Sequence, residues 1–223
     1  MSITVLDTND KQVNGSSSSC SIDCTGADML VVAVGLQNGP NATTITALTY
    51  DSVALTLAVK EGNTAESREN SEFSAIYYLP NPSSGTNTLS ITWSSGANHY
   101  IYGWALSGVN TTGQPDATGG GEVASGRSIS ANLSTVADNS VIFGACQAQA
   151  SVTAGTNQTE SSYTEISYVG YYAGTSGAIS PAGAKSVTVN IGSSTKGTFA
   201  TASFAPTAVG GASNNSIFFG GGM

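Results

Sequence analysis

Short runs of β-favouring residues, broken by turn formers about every 8 to 15 positions, organise nearly the whole chain, and hardly any stretch carries a helical period. Met29 to Leu36 (MLVVAVGL) is continuously apolar at strand length, which predicts a strand buried on both faces or central in a sandwich. Thr43 to Tyr50 and Val53 to Lys60 flank Asp51-Ser52 and read as a hairpin. Phe73 to Leu79 stops at Pro80-Asn81-Pro82, because proline donates nothing to a ladder and restricts the residue before it. Thr86 to Trp93 alternates, with Leu89, Ile91 and Trp93 on one face.

After an expected turn at Ser94 to Ala97 comes Tyr100 to Leu106 (YIYGWAL), the most aromatic run. Asn110 to Gly126 reads as a long loop around Gly119-Gly120-Gly121. Further strands are expected at Ile3 to Leu6, Ser128 to Leu133, Ser140 to Ala148, Tyr163 to Tyr171, Lys185 to Ile191 and Gly197 to Phe204. About eleven strands in this length predict an all-β, antiparallel two-sheet β-sandwich of jelly-roll type, since a single open sheet would leave long exposed edges. The expected organisation is an N-terminal strand and loop over 1–26, the sandwich over 27–205, and a flexible C-terminal arm over 206–223.

Composition changes the picture by emptying the surface of charge. Only 9% of the 223 residues are charged, whereas Ser (33), Thr (26), Asn (16) and Gly (27) together make 102. Soluble domains usually carry about 25% charged residues. A hydrophobic share of 39% still supplies enough apolar side chains to offset chain entropy, so the chain should fold. With a net charge of −8 and six scattered basic residues, no nucleic-acid partner and no anionic membrane partner are expected. The opening residues MSITVLDTNDKQV lack the basic and apolar regions of an export signal, although the composition is of the extracellular β type. Virion proteins reconcile the two: they assemble in the host cytoplasm and work outside after release.

Candidate chemistry is sparse. The only imidazole is His99, at the start of a predicted strand, and no G-x-S-x-G elbow is present, so no catalytic residues are expected. Glu72 with Glu160 or Glu165 could form a carboxylate pair only if the fold joined them. Asp7-Thr8-Asn9-Asp10 and the Asp116/Glu122 loop resemble calcium loops but read better as solvated turns, so neither a metal nor another cofactor is expected. Cys20, Cys24 and Cys146 are an odd set; they read as reduced thiols, with a Cys20–Cys24 bridge left open. Two tyrosine groups could stack on sugar rings, and Tyr100, Tyr102, Tyr168 and Tyr171 are the candidate ligand-binding residues; half of each alternating set should instead fill the core.

From Ala27 to Ala205 the order of segments resembles a β-sandwich module found in bacterial cell-surface proteins and bacteriophage virion proteins. The segments are ADMLVVAVGL, ITALTYDSVALTLA, IYYLPNPSSGTNTLSITWSSG, IYGWALSGVNTTGQPDAT and TFATASFAPTA. The resemblance implies a structural or adhesive unit on an exposed surface, and no catalytic residues. A single module with an apolar tail fits the phage branch: a non-enzymatic bacteriophage virion protein such as a capsid decoration, head fibre or tail-associated part. The alternative is a carbohydrate-binding or adhesion module for a host surface glycan. Expected partners are other virion proteins and further copies of itself, because a weakly charged Ser/Thr/Asn face tolerates wet polar contacts. Ala205 to Ser216 reads as a tether, and Ile217, Phe218 and Phe219 are the expected partner-binding anchor, worth about 1.5–3 kcal/mol per large side chain before ordering costs.

Overall fold

A computed structural model describes residues 2–39, 43–62, 71–166 and 168–208, among which there is no helix. Thirteen strands form two antiparallel sheets. The seven-stranded sheet contains β1 (Thr4–Asp23), β2 (Met29–Gly39), β3 (Ile45–Tyr50), β4 (Val53–Ala54), β5 (Thr56–Glu61), β6 (Ser71–Pro80) and β7 (Thr86–Ser107). The six-stranded sheet contains β8 (Ala117–Thr135), β9 (Val141–Ala148), β10 (Val152–Ala154), β11 (Thr159–Ile166), β12 (Val169–Thr175) and β13 (Gly183–Phe204). The all-β two-sheet organisation is as the sequence predicts. Its strand order differs from a jelly roll, because each sheet is one contiguous stretch of chain and the connection between them is Gly108 to Asp116.

Several expected boundaries move. The N-terminal segment is part of the sheet, since β1 pairs with β7 from Thr4↔Ser107 to Asp23↔Thr86. Ser94 to Ala97 is no turn: both sides of it keep pairing with β1, so the expected strands at 86–93 and 100–106 fuse into β7. Lys185 to Ile191 and Gly197 to Phe204 fuse into β13 for the same reason, with β8 as partner. The expected loop over Asn110 to Gly126 ends at Asp116, and its three glycines lie in β8. Conversely, Tyr163 to Tyr171 is two strands, β11 and β12, paired up to Ile166↔Val169, with Tyr168 at a φ of 69° between them. The Asp51-Ser52 hairpin forms with φ of 47° and 67°, the left-handed pair that suits strand twist. Past Ala54 the chain then leaves β3 and joins β6 as β5.

The two halves repeat one another strand by strand. Sheet order β1-β7-β2-β6-β5 in the first half matches β8-β13-β9-β12-β11 in the second. Registers match too: Val31 lies between Trp104 and Tyr78, and Phe143 between Ala202 and Thr175. A bulge between Leu57 and Val59 recurs between Glu160 and Ser162. β1/β7 pairing jumps from Gly15↔Ala97 to Ser17↔Thr92, and β8/β13 pairing from Gly126↔Thr195 to Ser128↔Asn190, the same two-by-five step. At that step each long ribbon bends back, so its two arms pack on one another.

The bends create three apolar cores. Leu30, Val32, Val34 and Leu36 of β2 face a core inside the first half, together with Phe73, Leu89, Ile91 and Trp93. Met29, Val31 and Ala33, on the other face of β2, meet Trp104, Phe143 and Phe204 in a core between the halves. The second half has its own core around Ile129, Cys146, Tyr172, Val187 and Phe199. The central layer is therefore covered on both faces, which is why β2 begins as an unbroken hydrophobic run and every residue of β9 is buried. Contacts across the middle are reciprocal, as in an isologous interface. Ser74 and Thr198 bond hydroxyl to hydroxyl at 2.8 Å, and their counterparts by register, Tyr171 and Tyr100, stack at 5.9 Å between ring centroids.

Candidate functional site

Of the four candidate ligand-binding tyrosines, the structure buries three. Tyr100, Tyr102 and Tyr171 face the core between the halves, so the expectation that they form an exposed stacking platform is corrected. The reason is layering: the face of β7 that would be solvated in a two-layer sandwich is covered here by the second sheet. Tyr171 donates its hydroxyl to the Asn98 carbonyl at 3.0 Å, and burial raises the pKa of both Tyr100 and Tyr171. Around them lies a polar layer in which Gln37, Asn98 and Gln147 are buried, with both amide atoms of Gln147 unpartnered within the protein.

Tyr168 is the exception. It is 85% exposed at the β11–β12 tip, in a left-handed conformation that a bulky side chain rarely adopts. The anchor residues Ile217, Phe218 and Phe219, and the tether from 209 to 216, lie outside the described residues.

His99 is fully buried beside the bend of the first ribbon, not at a strand edge. Its Nδ1 lies 3.2 Å from the Ala97 carbonyl and Nε2 lies 2.7 Å from Ser18 Oγ, with the Trp93 ring at 5.3 Å. A carbonyl only accepts, so Nδ1 donates to Ala97, and in the neutral ring Nε2 accepts from Ser18. Sequence reasoning missed Ser18, because a serine within a four-serine run carries no pattern. The second half places Ile129 over Gly197 at the equivalent positions, so the fold itself does not require a polar pair here.

Burial lowers the His99 pKa, against the opposing pull of the Ala97 and Gly15 carbonyls. The folded state then holds fewer protons than the unfolded chain below the usual value of 6.5, so stability should fall as pH drops below about 6.5. Glu61 acts the other way, its pKa raised by burial and by Glu122. The comparison is therefore between wild type and His99→Gln. Melting temperatures taken from pH 7.5 to 5 should decline more steeply in wild type, and parallel curves would show that His99 takes up its proton as readily in the folded protein as in the unfolded chain.

The carboxylate pairing conceived from sequence does not form. Glu72 acts on Tyr171 and Glu160 on Tyr172, and these neighbours on β12 point to opposite faces. Glu165 accepts from the Tyr163 hydroxyl at 2.8 Å, and Glu72 accepts from Gln149 at 2.8 Å. The acidic loops are used internally: Asp7 caps the Asp23 amide, and Asp116 accepts from Val136 N and from the Ser140 and Ser203 hydroxyls. Among the described residues, no three His, Cys, Asp or Glu side chains come together as a metal site would need. All three cysteines are free, and burial pushes the Cys20 thiol up to about 11, which leaves it a poor nucleophile. An open depression of about 520 Å³ on the second half, lined by Asn132, Leu133, Ser134 and Lys185, brings no second titratable group to the lysine.

No known protein family matches the chain, and no curated protein does. A solved chain titled Red Clover Necrotic Mosaic Virus is similar over 91% of this chain and 97% of its own, at 11% identity and a TM-score of 0.22.

Proposed function

We propose that this chain is a non-enzymatic structural module of a virus particle, in its finer form a bacteriophage capsid decoration, head fibre or tail-associated part held by protein–protein contacts. The observation that supports it is where the polar and apolar material goes. The interior is committed to three cores, and the first strand of the second long ribbon turns mostly small uncharged residues outward. β8 carries only Glu122 and Arg127 as charged residues in 19 positions. Such a surface suits wet, lateral contacts between subunits and offers little to acid–base chemistry. Mass spectrometry of particles purified from a producing host should find the chain in fixed proportion to the major capsid or tail proteins. Particles without it would overturn the reading.

A second reading, recognition of a host surface glycan, is favoured by Tyr168 alone, since an aromatic face held out at a hairpin tip can stack on a pyranose ring. Glycan-array binding should then be abolished by Tyr168→Ser with no change in melting temperature. A wild-type protein that binds no glycan ends this reading.

A further inference from the structure

An apolar rim borders the open side of the first half. Val53, Leu55 and Leu57 are apolar at alternate positions where the chain leaves β4, paired with β3, for β5, paired with β6. Leu57 pairs with Tyr77, and Leu55 and Tyr77 pack partly buried against the first core. Val53 and Leu57 nevertheless remain 48% and 47% exposed. The second half serves as an internal control. By register Glu160 is the counterpart of Leu57, and one step back from Thr159 the counterpart of Leu55 is Gln158. The same backbone tolerates polar residues, so the leucines are not demanded by the fold.

The sequence supplies one fitting occupant, Ile217-Phe218-Phe219, at the end of a stretch from Ala205 that contains no charged residue. Thr207 donates to the Gly108 carbonyl at 2.8 Å, and Gly108 abuts Ser2, so the chain departs at the β1 side of the first sheet. On the edge of β7 away from β1, Val53 lies two strand spacings out on β4 and Leu57 three spacings out on β5, about 10–14 Å. The eight residues 209–216 span at most about 26–29 Å, enough to reach past the chain's own edge. We propose that Ile217, Phe218 and Phe219 of one copy dock on the Val53–Leu55–Leu57 rim of another copy. This rests on the reading of the chain as an assembling surface module. Each contact joins two different surfaces, so repetition from copy to copy builds a ring or a row, and reciprocal exchange between two copies closes a pair.

Two full-length variants test it. Leu57→Glu keeps the anchor and loses the rim, taking the residue type that the second half already carries; Ile217→Ser/Phe218→Ser/Phe219→Ser keeps the rim and loses the anchor. In sedimentation experiments wild type should gain mass with concentration and each variant alone should stay monomeric. An equimolar mixture should form a one-to-one heterodimer, since one working contact remains. A mixture that stays monomeric overturns the proposal, including the case in which the anchor folds onto its own chain. If Leu57→Glu fails to fold, the triple-serine variant should bind a labelled peptide spanning Ser213 to Gly221, and the peptide with both phenylalanines changed to serine should not; equal binding or none overturns it. Particles that contain the chain, alongside a monomeric mixture, would keep the virion reading and reject this contact.

Discussion

Replacing Trp104 with alanine should cost about 3–5 kcal/mol, the range for removing a buried large aromatic, and lower the melting temperature by about 6–20 °C for a chain of this size. Trp104 is 1% exposed in the core between the halves, with ring centroids 4.6 Å from Tyr102 and 5.1 Å from Phe143 in edge-on contact. Its indole N–H donates to Ser161 Oγ on β11 at 3.3 Å, so the residue also ties the first sheet to the edge of the second. The counterpart of Trp104 by register is Ala202, which means that this one side chain fills the space on both sides of the pseudo-two-fold. No nearby large residue can collapse into the gap from the equivalent position. Calorimetry adds a second readout. The cores inside each half do not contain Trp104, so Trp104→Ala should broaden or split the transition. Trp93→Ala, inside the first half, should not. A sharp single transition in both variants would mean that the halves melt as one unit.

The sequence predicts strands well where one feature determines them alone. The run at Met29 to Leu36 is apolar without interruption because both of its faces meet a core, and Asp51-Ser52 accommodates the left-handed φ that its turn needs. Legibility fails where pairing, not local preference, decides. Ser94-Ser95-Gly96 has turn composition, yet β1 continues alongside it, and the segment becomes a bend in a ribbon. The Tyr168 tip shows the opposite: a tyrosine in a left-handed conformation sends no turn signal, so two strands look like one.

The duplication is nearly silent in the sequence for a related reason. What the halves share is register, and register constrains only which positions are apolar. Leu89, Ile91 and Trp93 correspond to Val187, Val189 and Ile191, with a positive-φ glycine four residues ahead of each run at Gly85 and Gly183. Size and shape have drifted around that skeleton, and Ser74 opposite Thr198 replaces what Tyr171 and Tyr100 do on the other side. The tyrosine platform was misplaced for the same cause. Alternation shows that Tyr100 and Tyr102 share a face, and only the second sheet, contributed by the other half, decides that the face is covered.

The close approach of ribbon arms gives the last expected result, a contrast between adjacent glycines of β8. A Cβ added at Gly119 would run into the Asn132 carbonyl oxygen, with the Asn132 carbonyl carbon at 3.0 Å and Leu133 Cβ at 3.2 Å. These are atoms of the facing arm of the same ribbon, fixed by pairing of Asn132 with Ser186. In the first half the counterpart of Gly119 is Asn9, whose Nδ2 donates to the Ser21 carbonyl at 2.8 Å, so that half bridges its arms with a side chain where the second brings backbones together. Gly119→Ala should therefore force the arms apart and cost about 1–3 kcal/mol, the range for overpacking a filled site. At Gly120 the three atoms nearest an added Cβ all belong to the Glu61 side chain. That side chain can swing toward solvent, and moving it relieves the burial and the Glu122 repulsion that raise its pKa, so Gly120→Ala should cost less than about 1 kcal/mol. Urea midpoints at constant slope would report both changes. Equal losses at the two positions would show that the arms are free to separate, and the second half would then be held by its core alone.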